Sequence, residues 1–429
     1  MATHRALLAA LVLGCASSEP DTGDTSTSET GTNSPTTDTS DSESGTDTDT
    51  DTDTDTDTSL PSAPIAVASA DVVSGGVPLT VNFTAEYSLA EEPWTAEWDF
   101  GDGTTGDGVE VSYDYGLAGA FLVTLTVTDS YGQQDDTHLA IAAYPATCPE
   151  SGEAIELGVV SDPAINEASG VAASLANPGV VWTHNDSGGG PYLYGLAEDG
   201  SVFGTFELAK AEARDLEDIA LAADPITGQH RIYIGDVGDN SRVRDAITVL
   251  MVAEPAVLAA PPKKPIVLEP DVLTLRYPGG KVVYDSEAIM VDPLDGDLYV
   301  VTKDRAMEGY TGVYRKPAPH HDGDDVVLEH VATLDFLSPP LTGATVTGAD
   351  IAPDGNYIVL RTYATTTSLW LRTPDQSIGE ALAEAPCVVT LPSETGLAES
   401  VGFTADGTGL LTLAEGLSQP LRLTPLLPK

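Results

Sequence analysis

Three glutamates, Glu217, Glu287 and Glu399, each stand two residues ahead of an apolar residue that opens a short β-type run, and Asp218 and Asp350 take the position after them. A second polar set closes the partner runs: Asn185-Asp186, Asp236, Asp239-Asn240, and Asp304 between Lys303 and Arg305, together with Arg361 and Glu415. Carboxylate and amide oxygens are the donors of hard cations such as Ca2+, which takes six to eight of them at about 2.3–2.6 Å. Without a cation, carboxylates gathered at one place repel one another and their pKa values rise. Glu217, Asp218, Glu287, Asp350 and Glu399 are therefore the candidate Ca2+ ligands. Asn185, Asp186, Asp236, Asp239, Asn240 and Asp304 are the candidate ligand-binding residues. Acids flank strands by chance in so acidic a chain, but chance does not return them to one register in three units. The first unit departs from the pattern, with Ser169 in that register and Glu167 two residues earlier.

The elements that must position these groups are hairpins. Asp215 to Asn240 contains two apolar runs joined by a Pro/Gly turn, with acids at the start of the first and the end of the second. Antiparallel pairing brings those two ends together. The unit recurs, with first runs at Ser169-Gly170-Val171, Glu217-Asp218-Ile219, Glu287-Ala288-Ile289, Ala349-Asp350-Ile351 and Glu399-Ser400-Val401. Second runs follow at Val180–Trp182, Ile232–Ile234, Leu298–Val301, Tyr357–Leu360 and Leu410–Leu413. Four-stranded repeats of this kind are the signature of a β-propeller, assigned to residues 146–429. Five blades are expected, or six if the stretch around Pro261-Pro262 and Pro265 holds another. The last unit runs out of chain before its fourth strand, and Ile155–Val160 is expected to supply it and close the ring.

Ahead of the propeller, Trp98-Asp99-Phe100-Gly101-Asp102-Gly103, followed by Tyr113, Gly119 and Phe121 through Thr128-Asp129, resembles the PKD domain, an immunoglobulin-like sandwich of surface proteins. The resemblance covers residues 61–145 and implies Trp98 and Phe100 in the core, a tight turn at Asp102-Gly103, and a spacer or adhesion role. Residues 16–60 are Ser, Thr, Asp, Glu and Gly, with almost no apolar side chain to offset ordering entropy, so a disordered tether spanning roughly 40 Å is expected. In residues 1–15, His4 and Arg5 precede an apolar run from Ala6 to Leu13 that is too short to remain as a membrane helix. Val12-Leu13-Gly14-Cys15 resembles the bacterial lipobox, which implies a signal peptide, lipidation at Cys15 and placement at the outer membrane or cell surface. The fold class is thus all-β: tether, sandwich, propeller.

Composition narrows the function. With 18 Lys+Arg against 67 Asp+Glu and a formal net charge of -49, the chain has no basic face to neutralise phosphates, so nucleic acid is not an expected partner. No G-x-S-x-G elbow, H-E-x-x-H, phosphate loop or dinucleotide fingerprint occurs. Of the 3 cysteines, Cys148 and Cys387 remain after lipidation, one before the closing strand and one at the head of an outer strand. A disulfide stapling the closure or two buried thiols are both open. His184 ends a second run near the presumed mouth and reads as a structural histidine before it reads as a base. Asn185-Asp186-Ser187-Gly188, Asp215-Leu-Glu-Asp-Ile-Ala220 and Gly235-Asp-Val-Gly-Asp-Asn240 resemble a group of secreted propellers without assigned activity. The Glu217-Asp218-Ile219 hairpin is similar, at greater distance, to Ca2+-dependent propellers of the paraoxonase and gluconolactonase type, which hold the ion at the tunnel mouth. The histidine pair of that type has no evident counterpart, since His320-His321 lies in a polar loop that reads as exposed. Two functions follow: a lipid-anchored envelope module that presents a propeller to a carbohydrate, peptide or protein, or a Ca2+-dependent lactonase, esterase or phosphoesterase. Whether the chain is an enzyme is left open by the sequence.

Overall fold

In the computed structural model of the chain the described residues are 62–88, 93–257, 262–280, 284–303, 310–336, 345–394 and 396–429. Cys15 and the tether, like Asp304, lie outside them. Alternation of apolar and polar residues in residues 65–144 builds two facing sheets. One orders Ile65–Ala70, Leu79–Ser88 and Glu110–Tyr115; the other orders Ser74–Gly76, Gln134–Tyr144, Gly119–Thr128, Thr95–Asp99 and Thr105–Asp107. Trp98, Phe100, Phe83, Tyr115 and Leu125 fill the space between them. Their polar handles are satisfied, as Trp98 Nε1 donates to Gly108 O at 2.9 Å and Tyr115 OH to Phe100 O at 3.0 Å. The Asp99–Thr105 connection turns through Gly101 and Gly103 at φ 81 and 88. At Gly101 a Cβ would also sit 2.8 Å from the Leu122 backbone, so only glycine fits.

Among the remaining described residues, five four-stranded antiparallel meanders follow one another. Their innermost strands are Ala168–Ala173, Leu216–Ala223, Ser286–Val291, Val346–Ile351 and Gly402–Phe403. These strands are nearly all buried, because each is covered on both faces by the neighbouring sheets. Apolar clusters fill the seams between sheets one and two (Trp182, Phe206, Ile219, Ile234), two and three (Tyr233, Met251, Ile289, Val300), three and four (Met290, Tyr299, Ile358, Trp370), and four and five (Val359, Leu369, Val401, Phe403). A further cluster, with Val171, Val181, Leu411 and Leu421, joins the fifth sheet back to the first. The ring is closed, and the fold is a β-propeller.

Ile155–Val160 supplies the fourth strand of the fifth sheet, antiparallel to Gln419–Leu427 with Ile155 opposite Leu423. Cys148, just before it, is bonded to Cys387 at the head of the fourth sheet's outer strand, with Cα atoms 5.5 Å apart. Beside this bridge Thr390 N donates to Ser151 Oγ at 2.8 Å. The Pro-rich stretch that was open to holding another blade instead provides Ile266–Leu268, a parallel fifth strand on the first sheet, and Asp271–Arg276, the fourth strand of the second.

Candidate functional site

The innermost strand of a blade is an edge, and its inward N–H groups need acceptors. Asp218 and Asp350 provide them. The Asp218 Oδ1 accepts from Ile219 N at 2.9 Å, and Oδ2 accepts from Ile289 N at 3.1 Å and Ala349 N at 3.2 Å. One carboxylate from the second sheet thus ties together the inner strands of the third and fourth. Further along, Asp350 accepts from Ile351 N at 2.8 Å and from Phe403 N at 2.7 Å. Burial pushes Asp218 well above the usual carboxylate range and Asp350 up to about 7, against the pull of these N–H donors. Both side chains belong to the tunnel wall, and neither has an oxygen left unengaged by protein.

The mouth is defined by a repeated bulge. Pairing of the first and second strands slips by one residue between Ala168 and Gly170, Leu216 and Asp218, Ser286 and Ala288, and Val346 and Gly348. The extra residue, turned out of the ladder, is Ser169, Glu217, Glu287 or Thr347. The structural register of the fourth unit is therefore Thr347-Gly348-Ala349, two residues earlier than the sequence alignment placed it. That correction is why Asp350 lies deeper than Glu217.

Glu217, Glu287 and Glu399 close on one another at this end, joined by the residues that follow the second strands, Asp186, Lys303, Tyr363 and Glu415. Hairpin ends pair there as antiparallel geometry requires: Asp186 N donates to Glu167 O at 2.8 Å and Lys303 N to Asp285 O at 2.8 Å. The acids divide into two groups. In the first, Lys303 Nζ pairs with Glu287 and donates to Tyr363 OH at 2.9 Å; Tyr363 OH donates to Glu399 Oε1 at 2.9 Å, and Glu399 is hydrogen-bonded to Glu415. Burial, opposed by Lys303, lifts Glu287 to about 7, and burial with the Glu399 charge lifts Glu415 to about 8.

The second group is Asp186, Asp215 and Glu217, each of which offers one carboxylate oxygen within 4.8 Å of those of the other two. Glu217 is 3% exposed, and no hydrogen-bond donor among the described residues reaches its carboxylate. Burial first, then the charges of Glu287, Asp186, Asp215 and Glu399, push it well above the usual carboxylate range; burial also lifts Asp186 to about 6. The backbone of Gly238 passes so close that a Cβ there would fall 2.1 Å from Glu217 Oε1 and 2.5 Å from Asp215 Oδ2. Oxygens bound to one ion at about 2.3–2.6 Å are at most about 5 Å apart, so this group fits a hard divalent cation.

The other sequence candidates hold the site together. Asn185 Oδ1 accepts from Asn166 N and Glu167 N, both at 3.2 Å, while its Nδ2 donates to Ala164 O at 2.7 Å. Asp236, in the same place on the second sheet, accepts from Arg214 N at 3.2 Å and Asp215 N at 3.1 Å. Asp239 caps its loop through Val243 N at 2.9 Å and Arg244 N at 2.7 Å. Asn240 is exposed and reaches Asp215 Oδ2 at 3.4 Å. His184 is enclosed, with Nδ1 at 2.9 Å from Asn185 O, and burial lowers it to about 4, so its imidazole is neutral. His320 is not the exposed residue its loop suggested: it is half-buried against Gly296 O at 2.7 Å, at the opposite end of the third sheet.

Sequence reasoning did not select Asp215 or Tyr363 as site residues, and it placed Glu415 at a second-strand end without assigning it to the ligand set. For Asp215 a signal existed, since Glu167, Asp215 and Asp285 each stand two residues ahead of the bulge.

A family model described as PKD domain matches residues 61–142. The chain is similar to the PKD1 domain of the Vibrio cholerae metalloprotease PrtV at 33% identity, covering 19% of this chain and 96% of that one with a TM-score of 0.17. It is likewise similar to the PKD1 domain of Vibrio anguillarum Epp at 28% identity, covering 20% and 96% with a TM-score of 0.17. It is also similar to U3-55K at 10% identity, covering 65% of this chain and 100% of that one with a TM-score of 0.34. No curated protein matches the chain. No helix among the described residues is long and apolar enough to cross a membrane. Residues 61–142 of this chain are a PKD domain.

Proposed function

We propose that the chain is a cell-envelope binding module: a PKD domain that spaces, from a membrane anchored through lipidated Cys15, a propeller whose tunnel mouth holds Ca2+ and presents it to an extracellular carbohydrate, peptide or protein. Asp186, Asp215 and Glu217 are the cation ligands, with Glu399 and Glu415 beside them. The observation that supports this most is Glu217, a buried carboxylate with no donor, crowded by other acids. A charge in that situation is costly unless a cation or a proton neutralises it. A binding role is favoured over hydrolysis of a lactone, ester or phosphoester because the nearby hydroxyls are already engaged, Tyr363 with Lys303 and Glu399 and the others with backbone. Ser169 Oγ donates to Glu217 O at 2.5 Å and Thr347 Oγ1 to Glu399 O at 3.2 Å, while His184 is enclosed.

Calorimetric titration of Ca2+ into the chelator-treated chain is the test. One site per chain that disappears in Glu217→Gln and persists in Asn240→Ala is expected. An unaltered isotherm in Glu217→Gln would sink the assignment.

A further inference from the structure

On the same face as the mouth, but outside the tunnel, a recess of about 660 Å³ opens beside the second sheet. Two connections flank it, residues 209–214 leading into that sheet and residues 237–246 between its second and third strands. Its charge is unusual for this molecule. Of 18 basic residues in the whole chain, Lys210, Arg214, Arg242 and Arg244 fall in these two connections, and all but Arg242 line the recess. Lys210, Ala213 and Arg242 also hold left-handed backbone at φ 61, 43 and 51, a cost that persists where the surrounding structure maintains it.

The decisive side chain is Arg244. It is 10% exposed, and its Nη1 donates to Asp236 Oδ1 at 2.8 Å and to Gly238 O at 2.8 Å. Asp236 is itself fixed by the N–H groups of Arg214 and Asp215, so the guanidinium has one orientation. Among the described residues no hydrogen bond engages Nη2, and Nε is enclosed without a partner. A guanidinium held in this way, with Nη2 left unused, can donate to an oxyanion.

At the rim, Lys210 and Arg214 pair only with exposed Glu269 and Glu212. Exposed pairs of this kind contribute at most about 1 kcal/mol and exchange partners readily, so both cations are available to a ligand. Leu250, Val272 and Val243 give the lining an apolar part, and Val243 is 75% exposed at the lip. No aromatic ring lines the recess, which leaves charge and hydrogen bonding to select the ligand. Asp236, Glu212 and Asp245 offset the three cations, so a second negative charge on a ligand has no further cation to meet.

We propose that this recess is a second binding site, for a small ligand bearing a single carboxylate on a compact body, with the acid group on Arg244 and on Lys210 or Arg214 at the rim. An acidic sugar and a free aliphatic acid share that chemistry. The site stands on residues separate from the mouth cation, so the experiment is done in chelator, where failure of the Ca2+ reading has no bearing on it.

The full chain is titrated with galacturonic acid, its methyl ester, glutarate monomethyl ester and inorganic phosphate, following binding by ligand-observed NMR. Saturable binding of one or both acids is expected, the sugar arm and the aliphatic arm telling the two sources apart. The methyl ester of galacturonic acid should bind at least tenfold more weakly. Arg244→Gln should weaken the acid at least tenfold. Because that change also removes a partner of buried Asp236, Lys210→Gln/Arg214→Gln, which touches only exposed pairs, is the second arm and should weaken binding two- to fivefold with an unchanged melting temperature. Absence of binding by both acids, equal binding of the ester, tighter binding of phosphate, or unaltered affinity in both variants overturns the proposal.

Discussion

Glu217 and Asp218 are consecutive, acidic and buried, and they sit on the same inner strand, yet the tunnel wall and the tunnel mouth make opposite uses of them. Asp218 accepts three backbone N–H groups from three strands. Glu217, displaced by the bulge, faces Asp186 and Asp215 and receives no donor. A buried carboxylate is a structural bracket where the backbone has unpaired N–H to offer, and a site where it has none. The comparison can be broken most directly at Asp218. Asp218→Ala leaves three buried N–H groups without an acceptor, each costing about 1–3 kcal/mol, so a loss of about 3–6 kcal/mol and a large drop in melting temperature are expected. Asp218→Asn, which keeps one acceptor oxygen, should lose about half of that. A wild-type melting curve for Asp218→Ala would remove the wall role.

Second in size is the staple behind the wall. Cys148→Ser/Cys387→Ser releases the segment before the closing strand and should cost about 2–5 kcal/mol, read by chemical denaturation with the oxidised parent alongside. A loss confined to the PKD domain rather than the propeller would contradict its place in ring closure.

The mouth should respond with the opposite sign to the wall. In chelator, Glu217→Gln removes a crowded buried charge, and its melting temperature should equal or exceed that of the parent. Adding Ca2+ at a hundred times its dissociation constant should stabilise the parent by about 2.7 kcal/mol and leave Glu217→Gln where it was. Destabilisation of Glu217→Gln in chelator comparable to that of Asp218→Ala would erase the distinction between the two regions.

The smallest effect is the pH dependence of the cation-free chain. Glu287, Glu415 and Asp186 have folded pKa values raised to about 7, 8 and 6. The folded state then binds protons that the unfolded chain has released. Their contribution is fully present below the unfolded carboxylate pKa of about 4 and is lost as pH rises through the folded values. In chelator the propeller should soften between about pH 5 and 8, with Ca2+ flattening the profile. A profile that rises over that interval would show the mouth acids already paired with cations of the protein itself.

Much of this architecture was legible in residue order because it depends on local chemistry. Apolar runs with turn residues between them dictate hairpins, repetition of the hairpin dictates a ring, and a last unit short of one strand requires Ile155–Val160. Trp98-Asp99-Phe100-Gly101-Asp102-Gly103 was readable for the same reason, since the turn and the core aromatic are neighbours in the chain. Glu217 and Glu287 shared a register on the page because the same bulge displaces both. The fourth unit misled, because Ala349-Asp350-Ile351 imitates Glu217-Asp218-Ile219, whereas Gly348 is the residue that pairs with Arg361.

What only the tertiary structure decided is the employment of each acid. Asp218 is structural because Ile289 and Ala349, 71 and 131 residues away, turn their N–H groups toward it. Asp186 and Asp215 meet Glu217 because two separate sheets end at one rim. Asp236 and Asn185, which read as ligands, are occupied by the loops they hold. A carboxylate has the same letter in all these places, and its role follows from how many donors the fold brings to it.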